Sequence, residues 1–159
     1  RYGDNFSAST ELQNMVNEWY KSGTECIFSC GGEMCDSVFE AALANNGKSI
    51  GVDVDQSSVS DTVITSAMKG LSSGVQKMLT SFYAGKWVLV GGLSSNLGVD
   101  DNAVGLPFAT SKFEKFTESD YVKLVNSMKS GGTLEVKNDF SAFLAGGETF
   151  ENVAVSFVK

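Results

Sequence analysis

Two carboxylates, Asp53 and Asp55, close the run IGVDVDQ at residues 50–56, a segment otherwise built from Ile, Gly and Val. Side chains alternate along a strand. Val52 and Val54 turned toward one layer therefore leave Asp53 and Asp55 on the other face, or at the mouth of a cleft. A carboxylate in that position accepts hydrogen bonds from two vicinal hydroxyls, which is how a sugar or ribose is held. An acidic loop, or Mg²⁺ ligation of the receiver-domain kind, asks for the same residues. A second candidate is Cys30-Gly31-Gly32, which leads into a helix expected near Asp36. Glycine lets the backbone approach a ligand and helix N-terminal N–H groups receive an oxygen, although Gly-Gly serves a tight turn equally well. The run has neither the lysine of a P-loop nor the GxGxxG spacing, so nucleotide phosphate is not its evident target. Phe6 and Phe28 lie near the ends of apolar segments and are candidates to stack on a planar base, or else core aromatics. Lys69 falls one position past an apolar stripe, where a snorkelling surface lysine is the plain reading.

What the chain lacks narrows the chemistry further. There is no histidine among 159 residues, which removes the commonest general base, Ser-His-Asp and Cys-His nucleophiles, and every His-containing zinc site. Cys26, Cys30 and Cys35 offer three thiols at spacings that suit neither a CxxC pair nor a four-ligand site, so no metal and no cofactor is expected. Buried, reduced thiols are the plainer reading. The net charge of −7 argues against nucleic acid and anionic lipid as partners, since both are bound through clustered Lys and Arg. A 42% hydrophobic, 19% charged composition at this length implies one folded domain with a single core.

The elements that must position these residues follow from periodicity. Residues 8–22 carry Leu12, Met15, Val16 and Trp19 on one helical face, with Ser7 or Ser9 as cap and Gly23 after the end. ECIFSC at 25–30 and SIGVDV at 49–54 read as strands, and 36–46 as a helix that stops at Gly47. Ile64, Ala67, Met68, Leu71, Val75, Met78, Leu79 and Phe82 predict one long helix over 62–84, containing Gly70, Gly74 and Lys69. Strands are predicted at 86–91 and 103–108, a helix capped by Thr117 with Asp120 at its third position, and a further strand around Val153, Val155 and Phe157. Strand and helix in alternation give an α/β fold, a mostly parallel sheet with helices on both faces. Ligands in such folds bind outside the carboxyl ends of the strands.

Taken together, YGDNFS, IFSCGG followed by SVFEAA, GVDVDQ, VITSAMK and GGLSSNLGVDDNAVGL stand in the order in which they occur in one family. The chain resembles the basic membrane protein, or purine nucleoside receptor, class of ABC-transporter substrate-binding lipoproteins over roughly residues 2–135. That resemblance implies one lobe, the C-terminal one, of a type I periplasmic-binding-protein fold spanning 1–137. It leaves an extension at 138–159 that the resemblance does not place, either an added strand of the same lobe or a segment outside it. The implied function is extracytoplasmic binding of a purine nucleoside between two lobes and its delivery to an ABC permease, with no bond made or broken. The N-terminal lobe and the lipid anchor to the cell membrane would lie outside this chain, which starts at Arg1 rather than Met.

By the same resemblance Asp53 takes the ribose hydroxyls, Lys69 faces the ligand, Gly31 and Gly32 form the cleft loop, and Phe6 is the aromatic just after the crossover from the first lobe. Phe28 is a looser match. The stretch Glu33-Met34-Cys35-Asp36 departs from the small, Gly-rich residues usual at that point. A ligand-sensing or regulatory domain of similar α/β fold is the alternative. Its receiver form would need an acidic pair at the first strand, where residues 2–7 supply only Asp4.

Overall fold

The computed structural model describes residues 5–131 and Ala154. Its first helix, α1 (Thr10–Lys21), begins where Ser9 adopts extended backbone and its hydroxyl accepts from the Leu12 N–H at 3.1 Å. Strand β1 (Cys26–Phe28) is shorter than the predicted 25–30, and α2 (Met34–Ala44) starts two residues before the predicted Asp36. Val16 and Tyr20 of α1 pack with Val38, Ala41 and Ala42 of α2 to form the principal core, with Leu12, Trp19 and Ile27 against it. Asn46, at φ 52°, is the left-handed residue that ends α2. Gly47 has another role: a Cβ there would strike the Tyr20 ring, whose hydroxyl donates to Lys48 O at 2.7 Å.

Strand β2 (Lys48–Asp53) pairs in parallel with β1, and β3 (Val63–Lys69) pairs in parallel with β2. The crossover from β2 to β3 is the loop 54–62, with no helix in it. Here the long helix predicted over 62–84 is corrected. Val63–Lys69 is a strand and only Leu71–Tyr83 is helical, as α3. Ile64, Ala67 and Met68 suit both periods. The β-branched run Val63-Ile64-Thr65 favours the pleated surface, where Val63, Thr65 and Ser66 are buried. Gly70 separates the two elements because another part of the chain crosses it: its N–H donates to Ala103 O at 2.7 Å, and a Cβ would meet Asn102 O and lie 2.8 Å from Ala103 Cα.

The predicted strand 86–91 is instead a 3₁₀ turn at Trp87–Leu89, followed by a tight loop in which the Gly91 N–H donates to Trp87 O. A short, uniformly apolar run carries no alternation to distinguish strand from turn. The free edge of β3 goes to β4 (Val104–Gly105), which pairs antiparallel with Met68 and Lys69. It is shorter than the predicted 103–108 because Pro107, without an N–H, ends it and its carbonyl accepts from Thr110 and Ser111. The sheet order is β1-β2-β3-β4, parallel except at its last pair.

Helix α4 (Glu118–Lys129) has the predicted cap, Thr117 and Asp120 each bonding the other's backbone N–H. Phe108, Phe113, Phe116 and Tyr121 form an aromatic cluster beneath it, and the Tyr121 hydroxyl accepts from Leu106 N at 3.0 Å. The predicted strand at 153–157 and the extension 138–159 lie outside the described residues, Ala154 apart. Among the described residues no helix is long and apolar enough to cross a membrane.

Candidate functional site

Each of the three parallel strands ends in a residue singled out by the sequence: Asp53 on β2 and Lys69 on β3 end side by side, whereas Phe28 ends β1 level with Ile50, three residues short of Asp53. Asp53 is the register partner of Met68, so Lys69 stands one step beyond it on the neighbouring strand. Lys69 therefore belongs to a strand end and not to the long helix predicted for it, because β3 replaces the first turns of that helix. Both side chains are exposed. Among the described residues neither has an ion-pair partner.

Asp53 is held in an unusual backbone conformation. Its φ is +66°, and Val54 N–H reaches over it to donate to Val52 O at 2.8 Å. A hydrogen bond of that span about a residue of positive φ makes a γ-turn of the rare, strained kind. A left-handed φ costs an L-residue with a Cβ roughly 1–2 kcal/mol, though Asp is among the types that tolerate it. Strain of this sort concentrates where a side chain must be aimed.

The turn also splits the acidic pair. Alternation along an unbroken strand would have put Asp53 and Asp55 on one face, but β2 ends at Asp53. Asp55 turns toward the protein, accepting from Thr110 Oγ1 at 2.7 Å and from Ser57 N at 3.0 Å. The Thr110 hydroxyl, and then the Ser57 N–H, hold its carboxyl below the ordinary carboxylate range. Asp53 alone remains available as an acceptor. Groups of three or more His, Cys, Asp or Glu placed to hold a metal ion are absent among the described residues.

Gly31 and Gly32 lie in the loop between β1 and α2, where the protein's own chain approaches them closely. A Cβ at Gly31 would strike the Met34 side chain, and one at Gly32, whose φ is +61°, would lie 3.4 Å from Phe6 Cβ. Met34 N–H at the start of α2 donates to Phe6 O at 3.0 Å. One helix N-terminal donor is thus satisfied internally, and it ties Phe6 to the glycine loop. Phe6, Phe28 and Gly31 share a cavity of ≈ 450 Å³ with Trp19, Met15 and Ser29. Lys69 opens onto a different cavity of ≈ 950 Å³, lined by Val75, Leu79, Phe82, Trp87 and Leu97. Asp53 lies at the strand end between these two flanks. The structure therefore groups Phe6, Phe28, Gly31 and Gly32 around the end of β1 and the start of α2, and Asp53 with Lys69 at the neighbouring ends of β2 and β3; neither of these two cavities is lined by both groups.

Sequence reading missed Gln56 and Ser29. Gln56 Oε1 accepts from Val52 N at 2.8 Å, directly behind the γ-turn. Ser29 is buried with its hydroxyl unpartnered, at the floor of the smaller cavity. The terminal Gln of GVDVDQ was legible as part of a motif, but an internal hydrogen bond leaves no mark on composition or period. A serine just past an apolar strand leaves none either.

Solved structures share this fold, among them the following two. The crystal structure of a transcriptional activator of the comK gene from Bacillus halodurans is similar with a TM-score of 0.60 at 20% identity. That similarity covers 82% of this chain and 44% of that one. An ABC transporter system solute-binding protein from Aeropyrum pernix K1 is similar with a TM-score of 0.52 at 21% identity, over 82% of this chain and 40% of that one. The chain thus spans less than half the length of either, and at these identities the likeness speaks of fold alone. Among curated proteins, none matches. The profile of the Bmp family, described as ABC transporter substrate-binding protein PnrA-like, matches residues 1–138. A profile match over that much of the sequence makes this chain a member of the Bmp family of substrate-binding proteins, which are not enzymes.

Proposed function

We propose that this chain is the C-terminal lobe, residues 1–137, of an extracytoplasmic solute-binding protein that holds a purine nucleoside between two lobes and delivers it to an ABC permease. The observation that carries the reading is the exposed Asp53 carboxylate, aimed by a strained turn at the carboxyl edge of β2 and one strand away from Lys69. Asp53 accepts the two ribose hydroxyls, Lys69 donates to a ligand acceptor, and Phe6 with Phe28 supplies aromatic surface for the base. Gly31 and Gly32 keep the loop beside them free of side chains. Closing a second lobe over this edge buries most of the ligand, as clefts between domains do. The second lobe and a lipid anchor to the cell membrane belong to the full-length protein.

The test is calorimetric titration of the full-length protein, with and without Asp53→Ala, against adenosine, guanosine, inosine, uridine and ribose. Purine nucleosides are expected to bind, and loss of two charge-assisted hydrogen bonds should weaken them by about tenfold or more. A folded protein that binds none of the five would send the function to another ligand class. Binding untouched by the substitution would remove Asp53 from the site.

A further inference from the structure

We propose that Gln56 is the positioning residue of the nucleoside site: its side-chain amide holds the turn that presents Asp53. The inference rests on the nucleoside-binding reading above and adds to it the group that keeps the carboxylate in place. Val52 is clamped at both backbone polar atoms. Its N–H donates to Gln56 Oε1 at 2.8 Å and its carbonyl accepts from Val54 N at 2.8 Å, so the chain must reverse at Asp53.

Gln56 is itself fixed from three directions. Its backbone N–H donates to Ser66 Oγ of β3 at 3.0 Å, and Nε2 donates to the buried Cys35 Sγ of α2 at 3.5 Å. The third constraint is Gly51. A Cβ there would lie 2.8 Å from Gln56 Oε1, 3.0 Å from Gln56 Cβ and 2.6 Å from Ser66 Oγ, so the amide fills the space a side chain at 51 would take. Residues 51, 52, 53, 56 and 66 thus form one mechanical unit that ties the aimed carboxylate to the sheet and to α2. A strained conformation persists only where its surroundings over-determine it, and here the Gln56 amide is the group that does so.

The test uses the full-length protein and two readouts, one of which needs no ligand. Gln56→Leu removes the acceptor for Val52 N, whereas Gln56→Glu keeps an acceptor oxygen there, loses the donor to Cys35 and adds a negative charge. In the Leu variant, NMR should show Val52 amide exchange accelerated and the Asp53 Cα and Cβ shifts moved away from left-handed values. Nucleoside Kd should rise by about tenfold or more, and the Glu variant should lie closer to wild type in both readouts. A folded Leu variant with Val52 protection and Asp53 shifts unchanged overturns the proposal, whatever the ligand. Unchanged Kd in a variant with a disturbed turn overturns the positioning role. If the wild type binds no nucleoside, the functional reading falls and the exchange and shift data still decide whether Gln56 holds the turn. Should the Leu variant fail to fold, Gly51→Ala, which crowds the same amide from the other side, is read in the same way.

Discussion

Thr110 Oγ1 donates a 2.7 Å hydrogen bond to Asp55, tying the loop between β2 and β3 to a turn 55 residues further along the chain. Lys112 reinforces the same junction, its N–H bonding Ile64 O and its ammonium Asp61 O. The loop that leaves Asp53 is therefore clipped on its far side by the segment that follows β4.

Acid should reveal that clip. Asp55 is held below its ordinary 3.8 chiefly by the Thr110 hydroxyl, Asp101 by Lys77 and Asp120 by Thr117. A carboxyl lowered in the folded state contributes stability that is present above the ordinary value and lost as pH falls through the lowered one. Stability should thus decline below about pH 4, and modestly, because all three groups are half-buried at the surface, where solvent still screens them. In Thr110→Val the Asp55 carboxyl should titrate nearer 3.8, as followed by carboxyl NMR shifts. An unchanged titration would mean that the bond does not persist in solution.

Gly70→Ala tests the crossing that separates β3 from α3. The new methyl would meet Asn102 O and Ala103 Cα, both backbone and unable to swing aside. A loss of about 1–3 kcal/mol in urea unfolding is expected, as for other overpacked sites. No loss would show that the segment before β4 does not lie against Gly70.

Asp53→Gly separates function from stability at one position. Glycine relieves the left-handed φ but raises the entropy of the unfolded chain, so a net gain of about 0.5–1 kcal/mol is expected. Nucleoside binding by the full-length protein should be lost in the same variant. Destabilisation by Asp53→Gly would argue that the turn is not strained.

Tyr20 anchors α1 to β2 through its bond to Lys48 O. Tyr20→Phe should cost about 1 kcal/mol at neutral pH, the usual value of a net hydrogen bond. Burial, with the Cys26 thiolate second, raises the phenol from 10.0 to about 12. The raised group contributes stability that is fully present below pH 10 and lost as pH rises toward 12. Wild type should therefore show a fall in that window that the Phe variant lacks, measured by denaturation at a series of alkaline pH values.

Much of the scaffold is legible in the sequence. The Leu12, Met15, Val16, Trp19 stripe and the Ser9 cap define α1, and Thr117 with Asp120 defines the start of α4, because both signals depend on residues within a few positions of one another. The segment 62–84 misled because Ile64, Ala67 and Met68 fit a helical period by coincidence, and what breaks it is Ala103 passing Gly70 from 33 residues away. The apolar KWVLVG run carried no alternation, and β3 took its neighbour from Val104 and Gly105 instead.

For the candidate site, the strand-end rule singled out the glycine loop and the Asp53, Asp55 pair, whereas a ligand-facing Lys69 was implied by the family resemblance and its own period placed it on a helix. Only the tertiary structure decided that the two carboxylates part company. The γ-turn leaves Asp53 free while Thr110 takes Asp55, and the second of these depends on a hydrogen bond between groups distant in sequence. The Gln56 amide behind that turn was invisible for the same reason. Its partners on β2, β3 and α2 meet only when the sheet has formed, so neither periodicity nor composition can register them.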